Sequence, residues 1–435
     1  MPSVKNIKVT IGGPESPVGT PEARTHVIPI RAVPGLDKTI EKTLDPVIIG
    51  SNMDAGEYTV ADAVGGSIPL SPRAVAGFGK LLKSLLGTEG TPQQVAAAIR
   101  IRYKGSSASC KLVANTTTDE LSSYIGAKGA EILDTNFGTA GVIDLADPTT
   151  DTVGELVTLI DGYTDYECEK LFGEDSEDAG EIIDVTQVQA KDMWAYLLFS
   201  SASSGAYAHI FTADLTDAEK PAYSIQKDGY QDNFLYAGCV VDTLSLAAAL
   251  KGMVEGEAGI LGFTETDGQT ASSLNLEDAK ALIFHTGSFA LASKDYKYLR
   301  NVNLSMANNH NPEGYGLTST SRQYHQKGKF DVSGDFQLRL DAETILERAK
   351  VFSNGLAAIS FLFKGKAILE ATLPADSVPE LMLVELPYCG YSAFEFPENA
   401  GVLDAKINFK TLKPGGTLYN EPVKVILITE DSAAY

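Results

Sequence analysis

The chain has 435 residues, 44% of them hydrophobic, and a formal net charge of −22. That length and apolar content suit two or three domains with real cores and exclude a disordered chain. The acid excess excludes a protein that grips nucleic acid through a basic surface, since affinity for phosphates is built from Lys and Arg; it leaves open a surface that repels DNA, or acidity that only keeps an abundant protein soluble.

Residues 1–50 are rich in Pro, Gly and Thr, with short β-like pieces at Ile7–Ile11 and His26–Arg31, and read as an extended arm lying on a neighbouring subunit or mobile. The opening MPSVKNIKVTIGG has no charged region followed by an apolar run, so no secretory leader is expected. No apolar run reaches bilayer length. Cys110, Cys168, Cys239 and Cys389 lie far apart with no CxxC, the pattern of thiols in a reducing compartment.

Val60–Leu70 predicts a strand with a glycine bend. Ser71 as cap and Pro72 at the first position predict a helix whose stripe Val75, Phe78, Leu81, Leu82 and Leu85 faces the core, stopped by Gly87. Residues 95–204 differ in character. They hold an alternating strand at Ala98–Tyr103, a strand at Cys110–Val113, and a helix near Val153–Gly162 with Thr152 and Glu155 at capping-box spacing; acidic GEDSEDAGE follows. This segment reads as a small α+β domain inserted into a loop of a first module made of 51–94 and 205–280, with Trp194 as packing anchor where it rejoins.

Tyr236–Phe263 is then restated at Tyr298–Leu340. Leu244-Ser245-Leu246 aligns with Leu304-Ser305-Met306, and Val254, Gly256, Ala258 and Ile260 fall on Phe330, Val332, Gly334 and Phe336. Each copy is strand, connection, strand. In the later one Phe330, Val332, Phe336, Leu338 and Leu340 alternate with Lys329, Asp331, Ser333, Asp335, Gln337 and Arg339, so one face meets a core and the other water. Asp341 caps a second helix, Ala342–Phe352, with Ile345, Leu346, Ala349 and Phe352 expected inward and Gly355 as stop. Further strands complete a second module at 281–415; 416–435 is a last strand and an acidic tail.

The second copy carries a long connection, ANNHNPEGYGLTSTSRQYHQK, where the first has a short one. Connections this long are usually functional or disordered. Tyr315, Arg322, Tyr324 and His325 are residue types suited to contacts, so it reads as an assembly loop or a floppy tip.

Motifs that carry chemistry are few. GFGK at 77–80 has Leu81 where a phosphate loop needs Ser or Thr, and there is no GxSxG or HExxH. The five histidines have no helical metal spacing; His310 and His325 bracket the long loop and read as polar loop residues. DLADPTTD and ETDGQT lack the full calcium-loop pattern. No catalytic residue, metal or cofactor is expected.

Together, the segment Gly238–Leu246, the strand Gly252–Phe263, the second-copy strands, the helix from Asp341 and the SPRAVAGFGKLLKSLLG helix resemble the tail tube proteins of long-tailed bacteriophages, over most of 40–97 and 205–415. The resemblance implies a mainly β fold with α+β elements: tube modules of sandwich or barrel type, two per chain with one flanking helix each, plus the inserted α+β domain. It implies rings stacked into a hollow virion tube assembled in the host cytoplasm, hairpin sheets of neighbours joined edge to edge, and genome DNA passing during ejection without specific binding. Glu255, Glu257, Asp331 and Asp335 then line the channel, and the loop with Tyr315, Arg322, Tyr324 and His325 reaches the next ring. Two modules per chain suggest trimeric rings imitating six-fold symmetry; hexamers in which both hairpins supply one module's four channel strands are the alternative. The remaining partners implied are tape-measure, terminator and tail-tip proteins, with no membrane. The rivals are a bacterial surface or adhesion protein of stacked β domains, and a hydrolase hosted by the insert.

Overall fold

The alternation in the restated hairpins predicts half-buried strands, and the computed structural model has them. It describes residues 7–44, 56–412 and 421–435, apart from 203, 217, 230, 231, 293, 354 and 400. The fold is mainly β, with three α-helices among the described residues.

The first hairpin pairs Asn233–Ala249 with Val254–Gly262; the second pairs Leu299–Ala307 with Asp331–Arg339. Leu246 faces Gly256 and Leu244 faces Ala258 in the first, while Met306 faces Val332 and Leu304 faces Gly334 in the second. These are the alignments read from the repeat. The two hairpins are also neighbours. Asn233–Ala249 pairs with Leu299–Ala307, Leu244 opposite Met306, Ser245 opposite Ser305 and Leu246 opposite Leu304. Copy therefore meets copy head to head, about a local two-fold axis between Ser245 and Ser305.

The outer edges of this four-stranded unit are not open. Val254–Gly262 pairs with Glu57–Leu70, and Asp331–Arg339 with Val402–Thr411. The expectation that hairpin edges are free to join neighbouring subunits is corrected: strands of the same chain occupy them.

One face of the sheet is dry. Leu244, Leu246, Leu304, Met306, Val332, Phe336, Leu338, Ile407 and Phe409 all belong to the main core. Each such side chain contributes about 1.5–3 kcal/mol by leaving water. A second layer covers them. Leu246, Val302 and Leu304 face Phe361, Phe363 and Met382, from Leu356–Leu369 and Val378–Glu395.

Helix α1, Ala76–Leu86, packs Phe78, Leu81, Leu82 and Leu85 into this core, and Gly87 at φ +94 ends it. Ser71 and Pro72 do not start it. They lie in the connection after the strand, and the Ala76 N–H instead donates to Glu277 Oε2 at 3.2 Å, a cap from 201 residues away. The residue 1–50 arm is corrected over 8–36, and its ends at 1–6 and 45–50 lie outside the described residues. Lys8–Pro14 pairs with Tyr223–Asp228 and with Arg24–Val27, and Val9, Ile11, Ile28 and Leu36 are core residues, because their apolar side chains find the main core of their own chain.

Residues 97–199 form two small sheets that share no ladder with the large one, and helix α2, Val153–Asp161. Thr152 and Glu155 make the reciprocal cap: Thr152 Oγ1 accepts from Glu155 N–H at 3.4 Å and donates to Glu155 Oε2 at 2.9 Å. A second core fills this segment and takes in Ala358 of the large sheet, with Tyr388 packed against it. Trp194, under the guanidinium groups of Arg100 and Arg102, packs with Phe172 and Tyr196 in a third cluster that also takes in Leu362, Leu381 and Ile428 of the large sheet.

Helix α3, Thr344–Ser353, has the predicted cap: Asp341 Oδ1 accepts from the N–H groups of Glu343 and Thr344 at 3.0 and 2.8 Å. Its orientation reverses the expectation. Thr344 and Glu347 are buried, Glu347 accepting from Tyr391 Oη at 3.0 Å, while Leu346 and Phe352 are 67% and 72% exposed. The polar side finds a hydrogen-bonded seat, and the apolar stripe is left in water.

Candidate functional site

In-register pairing lays the wet face out in rows. One runs Glu255, Ala247, Asn303, Asp335, Asn408; the next runs Glu257, Ser245, Ser305, Ser333, Lys410. A third joins Gly259, Thr243, Ala307 and Asp331. Rows two residues apart along a strand share a face, so Glu255, Glu257, Asp331 and Asp335 lie on one surface.

Their surroundings differ. Arg31 lies 3.5 Å from Glu255. Asn303 Nδ2 donates to Asp335 at 3.1 Å. Lys410 at 3.0 Å and Lys329 at 3.7 Å flank Asp331, and the Lys410 ammonium holds its carboxyl below the usual range. These pairs are solvated and contribute at most about 1 kcal/mol each. The surface is acidic over the first hairpin and near balance beside Asp331, where Lys406 and Lys410 reach the same face.

The sheet's two ends are unlike. At the loop end, beyond Ala307 and Gly262, two features project. One is the long connection 308–330. Asn308 Nδ2 anchors it, donating to the carbonyls of Leu85 and Val241 at 2.9 and 3.1 Å. His310 donates its backbone N–H to Asp242 Oδ1 at 2.7 Å and its ring Nδ1 lies 2.9 Å from the same oxygen; against the opposing effect of burial, these bonds hold the Asp242 carboxyl below its usual range. His325 stacks on Phe263 with ring centroids 4.4 Å apart and donates from Nε2 to the Gly238 carbonyl at 2.6 Å; burial pushes its pKa down to about 4. Arg322 is only 4% exposed and donates to the Pro312 carbonyl at 3.0 Å.

Bridges Asn311 to Gln326 and Tyr315 to Arg322 make the loop an irregular ribbon. Of the four residues singled out in the sequence, Arg322 and His325 turn inward, Tyr315 is half-buried, and Tyr324 is exposed; Leu317, not singled out, is 95% exposed.

The second feature was not legible. Asp37–Leu44 pairs with the first half of Glu57–Leu70 as a two-stranded ribbon running past the sheet, tied to the long loop by the Asp62 N–H donating to the Thr320 carbonyl at 2.7 Å. Ile40, Leu44, Tyr58 and Val60 are all exposed on it. The signal available was a set of apolar residues in a β-patterned stretch with no second layer to receive them.

At the turn end, around Leu250–Met253, Leu299 and Arg339, the surface is recessed. Leu250 borders two cavities of about 300 and 460 Å3.

Among the described residues no group of three or more His, Cys, Asp or Glu side chains could hold a metal ion, and all four thiols are buried, burial pushing the pKa of each upward. No described helix is long and apolar enough to cross a membrane. None of the curated proteins compared with the chain matches it. The family model described as phage tail tube protein matches residues 6–390, a span that includes both hairpins, α1, α3 and the two small sheets of 97–199. With most of its length matched, the chain belongs to the phage tail tube protein family.

Proposed function

We propose that this protein polymerises as stacked rings into the tail tube of a long-tailed bacteriophage, with the wet face of the four-stranded unit lining a channel through which genome DNA passes. Membership of the family makes it a structural protein of the phage tail; rings, channel and symmetry are the finer reading. The observation that carries it is the head-to-head sheet, acidic on its wet face through Glu255, Glu257 and Asp335 and packed on a core through the other. A wall of carboxylates repels a polyanion at contact range, the interaction being screened beyond about 8 Å at physiological salt.

The local two-fold favours hexameric rings over trimers. Ring neighbours are related by rotation and meet head to tail, through unlike surfaces. The two hairpins of one chain meet through like strands, so they do not imitate two successive ring positions. Both hairpins of one chain then supply four channel strands, six chains complete the wall, and neighbours meet through elements outside the four-stranded unit. The exposed tip of the long loop, with Leu317 and Tyr324, reaches the adjoining ring. The inserted segment 95–204, whose two small sheets share no ladder with the large one, decorates the outside, and tape-measure, terminator and tail-tip proteins complete the tail. Negative-stain images of concentrated protein test this: hollow tubes whose averaged cross-section has six-fold symmetry are expected. Single particles would reject the tube, and three-fold symmetry would reject the hexamer.

A further inference from the structure

The loop end of the sheet is a knob. Its ribbon presents Ile40 and Leu44, four residues apart on one strand and so on one face; on the partner strand Val60 is exposed where the register shifts, and Tyr58, opposite Thr43, belongs to the other face. A two-stranded ribbon is marginal in water by itself, and this one leaves apolar side chains uncovered. The turn end is a hole. The smaller cavity beside Leu250 is walled by Tyr298, Arg339 and Val402, the larger by Phe289, Tyr296 and Phe363. The apolar stripe of α3 continues this surface, because Arg348 lies over the rings of both Phe352 and Phe396, and the short hairpin after Phe396 leads to Val402.

We propose that the recess at the turn end is the socket for the ribbon of the next copy of this chain, which deepens the stacked-ring reading and rests on it. Knob and socket sit at opposite ends of the same strands, so the contact is heterologous and repeats along the strand axis instead of closing on itself, the geometry of a stack. The charges agree. On the ribbon Lys38 is paired with Asp62, Lys42 with Glu57, and Asp37 with Lys227, leaving Glu41 without an ion-pair partner among the described residues. The smaller cavity is bordered by Lys297 and Arg339. Leu44 and Ile40 meet Leu250, Tyr298 and Val402 on one side of the ribbon, and Glu41, which points to the opposite side with Thr43, meets the basic border of the socket.

Paired cysteines test the contact in the full chain. The four native thiols are buried and do not compete. The double variant Ile40→Cys with Tyr298→Cys, polymerised and oxidised, is expected to run as a covalent ladder on a denaturing gel, and each single variant as monomer. Leu44→Asp and Val402→Asp, both at exposed positions, are each expected to abolish pelletable polymer while leaving the near-ultraviolet circular dichroism of the monomer intact. Tubes of the double variant that yield no ladder, or normal polymer from both aspartate variants, overturn the socket and leave the stacked ring standing. A wild-type chain that forms no tubes is the separate failure of the stacked-ring reading, and takes the socket with it.

Discussion

Ser245 stands opposite Ser305 on the wet face of the central sheet, at the seam where the two hairpins meet. On either side of that pair the residues exchange symmetrically, Leu244 with Met306 and Leu246 with Leu304. Apolar side chains two apart on both strands fix this register, since a slip of one residue would carry all four to the wet face. The seam can be tested by a double-mutant cycle. Lys at either serine alone is expected to change stability by less than about 0.5 kcal/mol, as exposed substitutions do. Lys at both is expected to cost more than the sum, by about 0.2–1 kcal/mol, because like charges then face each other directly. Ser245→Asp with Ser305→Lys should couple with the opposite sign. Urea midpoints that add without coupling in both cycles would place the two serines apart.

The charge on the wet face makes a second prediction. Glu255→Lys with Glu257→Lys reverses the two carboxylates of the first hairpin and leaves Arg31 without its partner. Tubes of this variant should retain double-stranded DNA at low salt and release it as salt rises, the behaviour of a surface whose lysines displace counterions from phosphate. Wild-type tubes should retain none. Variant tubes that stay free of DNA at low salt would put these residues away from the channel.

Much of this surface was legible in the sequence because strand alternation is local. The run from Asp331 to Arg339 states its two faces residue by residue, and the repeat aligned Leu246 with Met306 and Gly256 with Val332 as the hairpin registers have them. What escaped was set by distant partners. Nothing in either copy says that Ser245 meets Ser305. The stripe of α3 looked like a core face, yet Tyr391 holds Glu347 and turns the helix over. Helix α1 starts at Ala76 and not after Ser71 because its cap comes from Glu277, far away in the sequence. Arg322 and His325 are contact residues by type, yet carbonyls of Pro312 and Gly238 in their own chain accept from them.

Gly79 offers a test in which two effects oppose. It sits within α1, where Gly→Ala ordinarily stabilises by roughly 1 kcal/mol. Here an added Cβ overlaps the ring of Tyr435, which is buried and stacked on His209 at 4.3 Å between centroids, its backbone N–H donating to Glu89 Oε2 at 2.8 Å. Overpacking of this kind costs about 1–3 kcal/mol, so it outweighs propensity. Gly79→Ala should therefore destabilise the chain, and in a Tyr435→Ala background the same substitution should stabilise it. Thermal melts of the four chains decide; the same sign in both backgrounds would mean that the ring does not set the constraint.

Glu380 predicts a pH dependence. It is 2% exposed, and its Oε2 accepts from the backbone N–H groups of Lys280 and Lys366 at 3.2 and 3.3 Å. Burial raises its pKa from 4.5 to about 7, Glu430 adding to the rise while the two N–H bonds and the Lys366 ammonium oppose it. Between those values the folded chain keeps a proton that the unfolded chain has lost. The contribution of this group is thus fully present below about pH 4.5 and is lost as pH rises through 7, an effect on the order of 3 kcal/mol. Glu380→Gln keeps an oxygen acceptor and cannot ionise. Relative to wild type, this variant should be more stable at pH 8 than at pH 5, by up to that amount, in urea titrations at the two pH values. The comparison isolates Glu380, because Glu277, His26 and Asp431 around the same cavity are common to both chains. Stability curves that run parallel from pH 4.5 to 8 would mean that Glu380 is already ionised in the folded chain at pH 5.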